Sequence, residues 1–277
     1  MEKYPIVLSI AGSDSIGGAG IQADIKTCCA LGVYAMTAIT AITAQCTSKV
    51  HTFMAVDTQL FEAQLRAVVE DERPNAVKIG MLPNNDIIDI VNNIIDEYNL
   101  NNIVFDPVMV ATSGDLLVDE MDNNISIPMK RLISKSLVIT PNIPEAIHLC
   151  GFDIIDASDI EIGATKIINN FNCNSVLLKG GHMDSIELTD LFLDKRGIKK
   201  YIRNKKIITN NTHGTGCSLS SAIAANLSKG FSLYDSVEKA CSFIYTAINR
   251  GKNYKFGKGF GPINHLYKIH DYDNQSK

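Results

Sequence analysis

The 277-residue chain has no tryptophan, and aromatic residues make up only 7% of it. Its packing must therefore rest on aliphatic side chains, in line with an apolar content of 45%. No apolar run approaches the ~18–20 residues that cross a bilayer, which excludes a membrane-spanning helix. The N-terminal residues show no signal-peptide pattern, so export is not expected. Positive charge is not in excess either, with a formal net charge of −4. A nucleic-acid partner is disfavoured on that ground, because backbone phosphates are held by clustered Lys and Arg. Paired cysteine motifs are missing. Cys28, Cys29, Cys46, Cys150, Cys173, Cys217 and Cys241 are scattered, odd in number and include no Cys-x-x-Cys. Neither a disulfide framework nor a zinc site is expected, and a reducing cytoplasm is the natural setting. Repeats, low-complexity stretches and linkers are lacking as well, so residues 1–277 read as one domain with a frayed polar tail at Asp271–Lys277.

What is present is a regular alternation. Strands are expected at Ile6–Ala11, Met36–Thr43, Ala76–Ile79, Asn102–Phe105, Leu137–Ile139 and Ser175–Lys179. Helices are expected at Ile21–Leu31, Phe61–Glu70, Asp86–Tyr98, Glu145–Cys150, Asp159–Asn170, Thr215–Leu227 and Leu233–Ile248. A hairpin is expected where Leu188–Leu193 and Lys199–Ile202 flank Arg196-Gly197. Continuous apolar strands between helices imply an α/β fold, a mostly parallel sheet with helices on both faces. In such sheets ligands bind outside the carboxyl ends of the strands. That rule gathers Asp106, Thr140-Pro141-Asn142 and Lys179-Gly180-Gly181 at one cleft.

The sharpest motif is His213-Gly214-Thr215-Gly216-Cys217, which runs straight into a small-residue helix. Its glycines let backbone N–H groups converge, and the helix dipole adds positive charge, so the turn suits an anion. Most of the cysteines read as buried small hydrophobes, but Cys217 sits where a helix N-terminus lowers a thiol pKa toward neutrality. A thiolate there would serve as a base in phosphoryl transfer. Gly12-Ser13-Asp14-Ser15-Ile16-Gly17-Gly18-Ala19-Gly20 also joins a strand to a helix. It lacks the Lys-Ser/Thr of a P-loop, which excludes that NTPase class. Each remaining residue has two readings. Asp106 either holds Mg²⁺ or caps a turn. Asn142 and Glu145 form either a capping box or a metal-organising pair. Lys179 either reaches a phosphate or is a solvated lysine in a glycine turn.

Taken in order, the motifs resemble the hydroxymethylpyrimidine/phosphomethylpyrimidine kinases within the ribokinase-like superfamily. The residues that carry the resemblance are Ala11-Gly12-Ser13-Asp14, Gly17–Asp24, Ala41–Gln45, Lys78–Leu82, Asp106–Val110, Thr140-Pro141-Asn142 with Pro144-Glu145-Ala146, Lys179–His182, Thr212–Cys217 and Gly259–His265. The resemblance implies a three-layer αβα sandwich with small β lid elements. It implies ATP-dependent phosphorylation of 4-amino-5-hydroxymethyl-2-methylpyrimidine, then of its monophosphate, in thiamine biosynthesis. Carried over by position, Gly214, Thr215, Gly216 and Cys217 would form the anion hole, with Cys217 as base. Asp106 and Glu145 would organise Mg²⁺. Lys179, Asn142 and His213 would meet ATP. Gln45 would read the pyrimidine edge, Gly12, Met81 and Val108 would line the ring pocket, and Asp24 would lie on the substrate side. A homodimer is also implied. Ser218 stands where the family commonly has threonine, and Ala111-Thr112-Ser113-Gly114 lacks a lysine usual there. Two other readings remain: a pyridoxal kinase of the same subfamily, against which Ala111 and Gln45 speak, and a non-catalytic pyrimidine-binding relative.

Overall fold

A computed structural model describes residues 4–109, 125–180 and 187–269. The expectations for Ala111–Gly114, for Gly181 and His182, and for the tail Asp271–Lys277 lie outside the described residues. In chain order the elements are β1 (Ile6–Ser13), α1 (Gly20–Ala30), β2 (Tyr34–Cys46), β3 (Lys49–Ala55), α2 (Thr58–Asp71), β4 (Ala76–Ile79), α3 (Asn85–Glu97) and β5 (Ile103–Phe105). They continue with α4 (Ile127–Lys135), β6 (Val138–Ile139), α5 (Ile143–Cys150), α6 (Ala157–Phe171), β7 (Ser175–Leu178), β8 (Glu187–Asp194), β9 (Lys199–Lys205), α7 (Thr215–Ser228) and α8 (Leu233–Gly251).

All nine strands form one sheet in the order β3-β2-β1-β4-β5-β6-β7-β8-β9. β2, β1, β4, β5, β6 and β7 run parallel, while β3 at one edge and β8–β9 at the other are antiparallel. Alternation along each strand divides the core in two, because successive side chains point to opposite faces. Leu8, Ile10, Val77, Ile79, Phe105 and Leu178 pack with α2, α3, α4, α5 and α6 on one face. Val7, Ala76, Val104, Val138 and Leu177 pack with α1, α7 and α8 on the other. The result is the expected αβα sandwich of ribokinase-like type. α7 is buried nearly all round, and Ala222, Ala224 and Ala225 let it lie close to the sheet.

Two elements were not anticipated. β3 alternates small, polar and charged residues (Lys49, His51, Thr52) with a weak apolar pattern, and only its pairing with β2 makes it a strand. α4 is short, but Ser126 caps it by accepting from the Met129 N–H, and Pro128 sits in its first turn. α5 begins at Ile143, two residues earlier than expected, because Asn142 is its N-cap.

Candidate active site

The carboxyl ends of the parallel strands converge on the start of α7. Gly214 caps that helix with φ of +78°, a left-handed conformation that favours glycine. Its α-carbon also lies against the Gly18 backbone, where a β-carbon has no room. The Thr215 N–H is used on the Thr212 carbonyl. The following N–H groups of Gly216 and Cys217 open the helix, where no intrahelical acceptor exists.

Two of the expected side chains stand beside this turn. Asp106 ends β5, and its Oδ1 accepts from Thr140 Oγ1 at 2.8 Å and from Lys179 Nζ at 3.1 Å. A β-carbon placed on Gly216 would lie 3.3 Å from Asp106 Oδ2 and 3.4 Å from Lys179 Nζ. The lysine and the carboxylate thus stand directly beside the turn that opens α7. Lys179 follows β7, and its backbone bridges to Asn142 at the start of α5. Burial opposes its charge, yet Asp106 and Glu145 raise its pKa overall.

Asn142 and Glu145 form a full capping box: Asn142 Oδ1 accepts from the Glu145 N–H at 2.9 Å, and Glu145 Oε2 accepts from the Asn142 N–H at 2.8 Å. The metal reading of Glu145 is not thereby displaced. Burial, with Asp106 adding to it against the pull of Lys179, pushes the Glu145 carboxyl up to about 7. A second carboxylate close to Asp106 is costly unless a cation joins it. Among the described residues no three His, Cys, Asp or Glu are arranged around a metal position. Two carboxylates completed by phosphate oxygens suit Mg²⁺, so the residues fit that ion.

The raised Glu145 pKa carries a testable sign. The folded protein binds the Glu145 proton up to about pH 7, whereas an unfolded glutamate releases it near pH 4.3. Between those values the native state holds more protons, so this group's contribution to stability falls as pH rises. Glu145→Gln is expected to gain stability relative to wild type on going from pH 5 to pH 8, read from metal-free urea midpoints. A difference that does not change with pH would refute it.

Beside this polar cluster lies a small apolar one. Ala41, Val50 and Met81 are buried together, with Phe53 and Val108 packed against them. Gly12 belongs to the same wall, since a β-carbon there would lie 2.8 Å from the Met81 sulfur. Gln45 follows a β-bulge in β2, and Thr43 Oγ1 approaches its Oε1 at 3.4 Å.

Four expectations need correction. Asp24 is fully buried and does not line the cleft; its carboxylate is taken up by Lys78 Nζ at 2.8 Å, Ser9 Oγ at 2.6 Å and Ser221 Oγ at 2.6 Å. His213 is buried too, and its Nε2 lies 2.9 Å from Asp14 Oδ2 rather than facing a nucleotide. The Cys217 thiol is not lowered toward neutrality. Burial pushes it up to about 11, with Asp24 and Asp106 adding to the rise while Lys78 and the Gly20 N–H pull it down. Burial thus outweighs the helix terminus, and the two carboxylates add to it. Of the cysteines read as buried, Cys46 at the end of β2 is partly exposed and Cys29 is exposed.

Lys78 and Thr140 carried no assigned role in the sequence. The signal for Lys78 was a lysine inside an otherwise apolar strand. Thr140 gave none beyond its place in a motif.

The model of the phosphomethylpyrimidine kinase family matches residues 14–264. The chain belongs to that family. Among relatives, the hydroxymethylpyrimidine/phosphomethylpyrimidine kinase of Bacillus subtilis is 42% identical over 260 residues, 94% of each chain. The probable chloroplastic thiamine biosynthetic bifunctional enzyme of rice is 39% identical over 96% of this chain, which spans 48% of the rice protein. The chain therefore spans about half the length of that relative. Among solved structures, the phosphomethylpyrimidine kinase of Clostridium difficile is 37% identical with a TM-score of 0.74, covering 89% of this chain and 100% of its own. The Bacillus subtilis pyridoxal kinase in its ADP complex is 34% identical with a TM-score of 0.85, covering 95% and 98%. The phosphomethylpyrimidine kinase fold thus shares its frame with pyridoxal kinases.

Proposed function

We propose that this family member is a kinase that phosphorylates hydroxymethylpyrimidine to its monophosphate and then to the diphosphate, with ATP as donor. The observation that carries the reading is the placing of Asp106 and Lys179 against the Gly216-Cys217 turn, with Glu145 beside them and the small apolar cluster of Ala41, Val50 and Met81 adjoining. The pyrimidine ring lies among Gly12, Met81 and Val108, and the Gln45 amide reads its polar edge. That pose directs the hydroxymethyl group at the γ-phosphorus. In the Gly214–Cys217 turn the N–H groups of Gly216 and Cys217, with the Lys179 ammonium, meet the charge on the transferring phosphoryl group. Cys217 takes the proton of the attacking hydroxyl. Asp106 and Glu145 would hold Mg²⁺, which when bound neutralises phosphate charge. Asn142 stands at the nucleotide side of the turn.

A single domain performs this work, and seven free thiols support a cytoplasmic setting. Among the described residues no helix is long and apolar enough to cross a membrane. A homodimer is supported by the paired, outward-facing Ile42 and Met54 of β2 and β3, which are 54% and 70% exposed.

Steady-state kinetics with hydroxymethylpyrimidine, its monophosphate and pyridoxal test the reading. The pyridoxal kinases among the structural neighbours make that third substrate the decisive control. A much higher kcat/KM for pyridoxal would reverse the assignment. Gln45→Ala is expected to raise the pyrimidine KM ~10-fold or more while moving the ATP KM little, because a lost polar contact to one substrate leaves the other's binding alone. Equal changes in both would remove Gln45 from pyrimidine recognition.

A further inference from the structure

Two helices start at the transfer site without a side-chain cap. In α1 and α7 the N-cap residues, Ala19 and Gly214, make no side-chain bond to the first turn. The other six helices are capped by Asp57, Asn84, Ser126, Asn142, Asp156 and Ser232. The two open starts meet each other. Gly214 abuts the Gly18 backbone, and a β-carbon on Gly18 would strike the His213 ring. At that junction the Gly20 N–H pulls the Cys217 thiol pKa down, against the burial that raises it.

One buried pair fastens the junction. Asp14 Oδ2 lies 2.9 Å from His213 Nε2 and accepts from the Gly18 N–H at 2.9 Å and the Ala19 N–H at 2.8 Å. Oδ1 accepts from the Ile16 N–H at 3.0 Å. His213 is held from behind, its own N–H donating to the Gly261 carbonyl at 3.0 Å. Three backbone donors and one imidazole on a single carboxylate fix the direction of the whole 14–20 turn. With Gly18 and Ala19 committed to Asp14, Gly20 supplies the first N–H of α1 that acts on the cysteine.

We propose that Asp14 and His213 are a positioning pair that pins the 14–20 turn onto the 213–217 turn, so that the open starts of α1 and α7 both face the Cys217 sulfur. Negative charge that develops on that sulfur then meets N–H groups from two helices rather than one. The consequence for turnover rests on the reading of Cys217 as the base; the pinning itself does not.

The test is alkylation of Cys217 by iodoacetamide at pH 9 without substrate, followed residue by residue by mass spectrometry. His213→Ala is expected to slow it ~10-fold, the worth of one N–H bond to a charged acceptor. The exposed Cys29 should react at the wild-type rate. His213→Gln places an amide nitrogen near the lost Nε2 and should restore the rate. In turnover, His213→Ala should lower kcat ~10-fold while the ATP KM stays within ~3-fold. If His213→Ala loses its cooperative melting transition, Asp14→Asn, which keeps one carbonyl oxygen, is read by the same assay. Unchanged or faster alkylation of Cys217 in a folded variant overturns the proposal. Because the alkylation needs no substrate, a wild-type protein inactive on the pyrimidine would defeat the proposed function and leave this test standing.

Discussion

Cys217→Ala should retain the fold and bind both substrates, yet turn over ~10²-fold or more slowly, as expected for loss of a general base. The proposed role of Cys217 as base depends on its protonation. With the thiol pushed up to about 11, Cys217 carries a proton at neutral pH in the ligand-free protein. Cations must enter before it serves as base. Lys179 lies 3.4 Å from the β-carbon position of the adjacent Gly216, and bound Mg²⁺ would offset the Asp106 charge that now raises the thiol. The wild-type kcat/KM is therefore expected to climb between pH 7 and pH 9, and Cys217→Ala should lose that slope together with the rate. Alanine-variant turnover equal to wild type would take Cys217 out of the proton transfer.

The second large effect is on stability. Lys78 and Asp24 form an ion pair in which both side chains are 0% exposed. Desolvation opposes the lysine's charge, but Asp24, Cys217 and Asp106 raise its pKa overall, so it is charged. Removing one partner strands the other charge in the core, which costs about 3–5 kcal/mol in comparable sites. Lys78→Met should shift the urea midpoint down accordingly. Adding Asp24→Leu should recover most of the loss, because no charge is then left unpaired. A midpoint for Lys78→Met equal to wild type would show that the pair does not hold β4 to α1. The Ser9 and Ser221 hydroxyls on the same carboxylate tie β1 and α7 into the pair, so four elements are joined under the transfer site.

Much of the fold is written locally. The β/α alternation, the apolar strands and the glycine at the start of α7 are readable because side-chain period and backbone conformation are properties of neighbouring residues. β3 was missed for the complementary reason: its residues do not state a strand until β2 supplies a partner. The site divides in the same way. Asp106, Glu145 and Lys179 each follow a strand or open a helix, and the parallel sheet brings such positions to one end. Their local roles were ambiguous, and Glu145 proves to cap α5 while standing beside Asp106.

Asp24, His213 and the Cys217 thiol show where local reading stops. Asp24 looks like a cleft residue from its motif, but its partners Lys78 and Ser221 come from 54 and 197 residues away along the chain. His213 sits in the glycine-rich turn that opens α7, but its ring is claimed by Asp14, 199 residues distant. The amino-acid order by itself determined the layers, the strand ends and the glycine turn that opens α7. Tertiary structure alone decided which polar side chains face the cleft and which are spent in the core. It also set the proton affinity of Cys217, because desolvation and the field of Asp24, Asp106 and Lys78 depend on distances through space that no local sequence window contains.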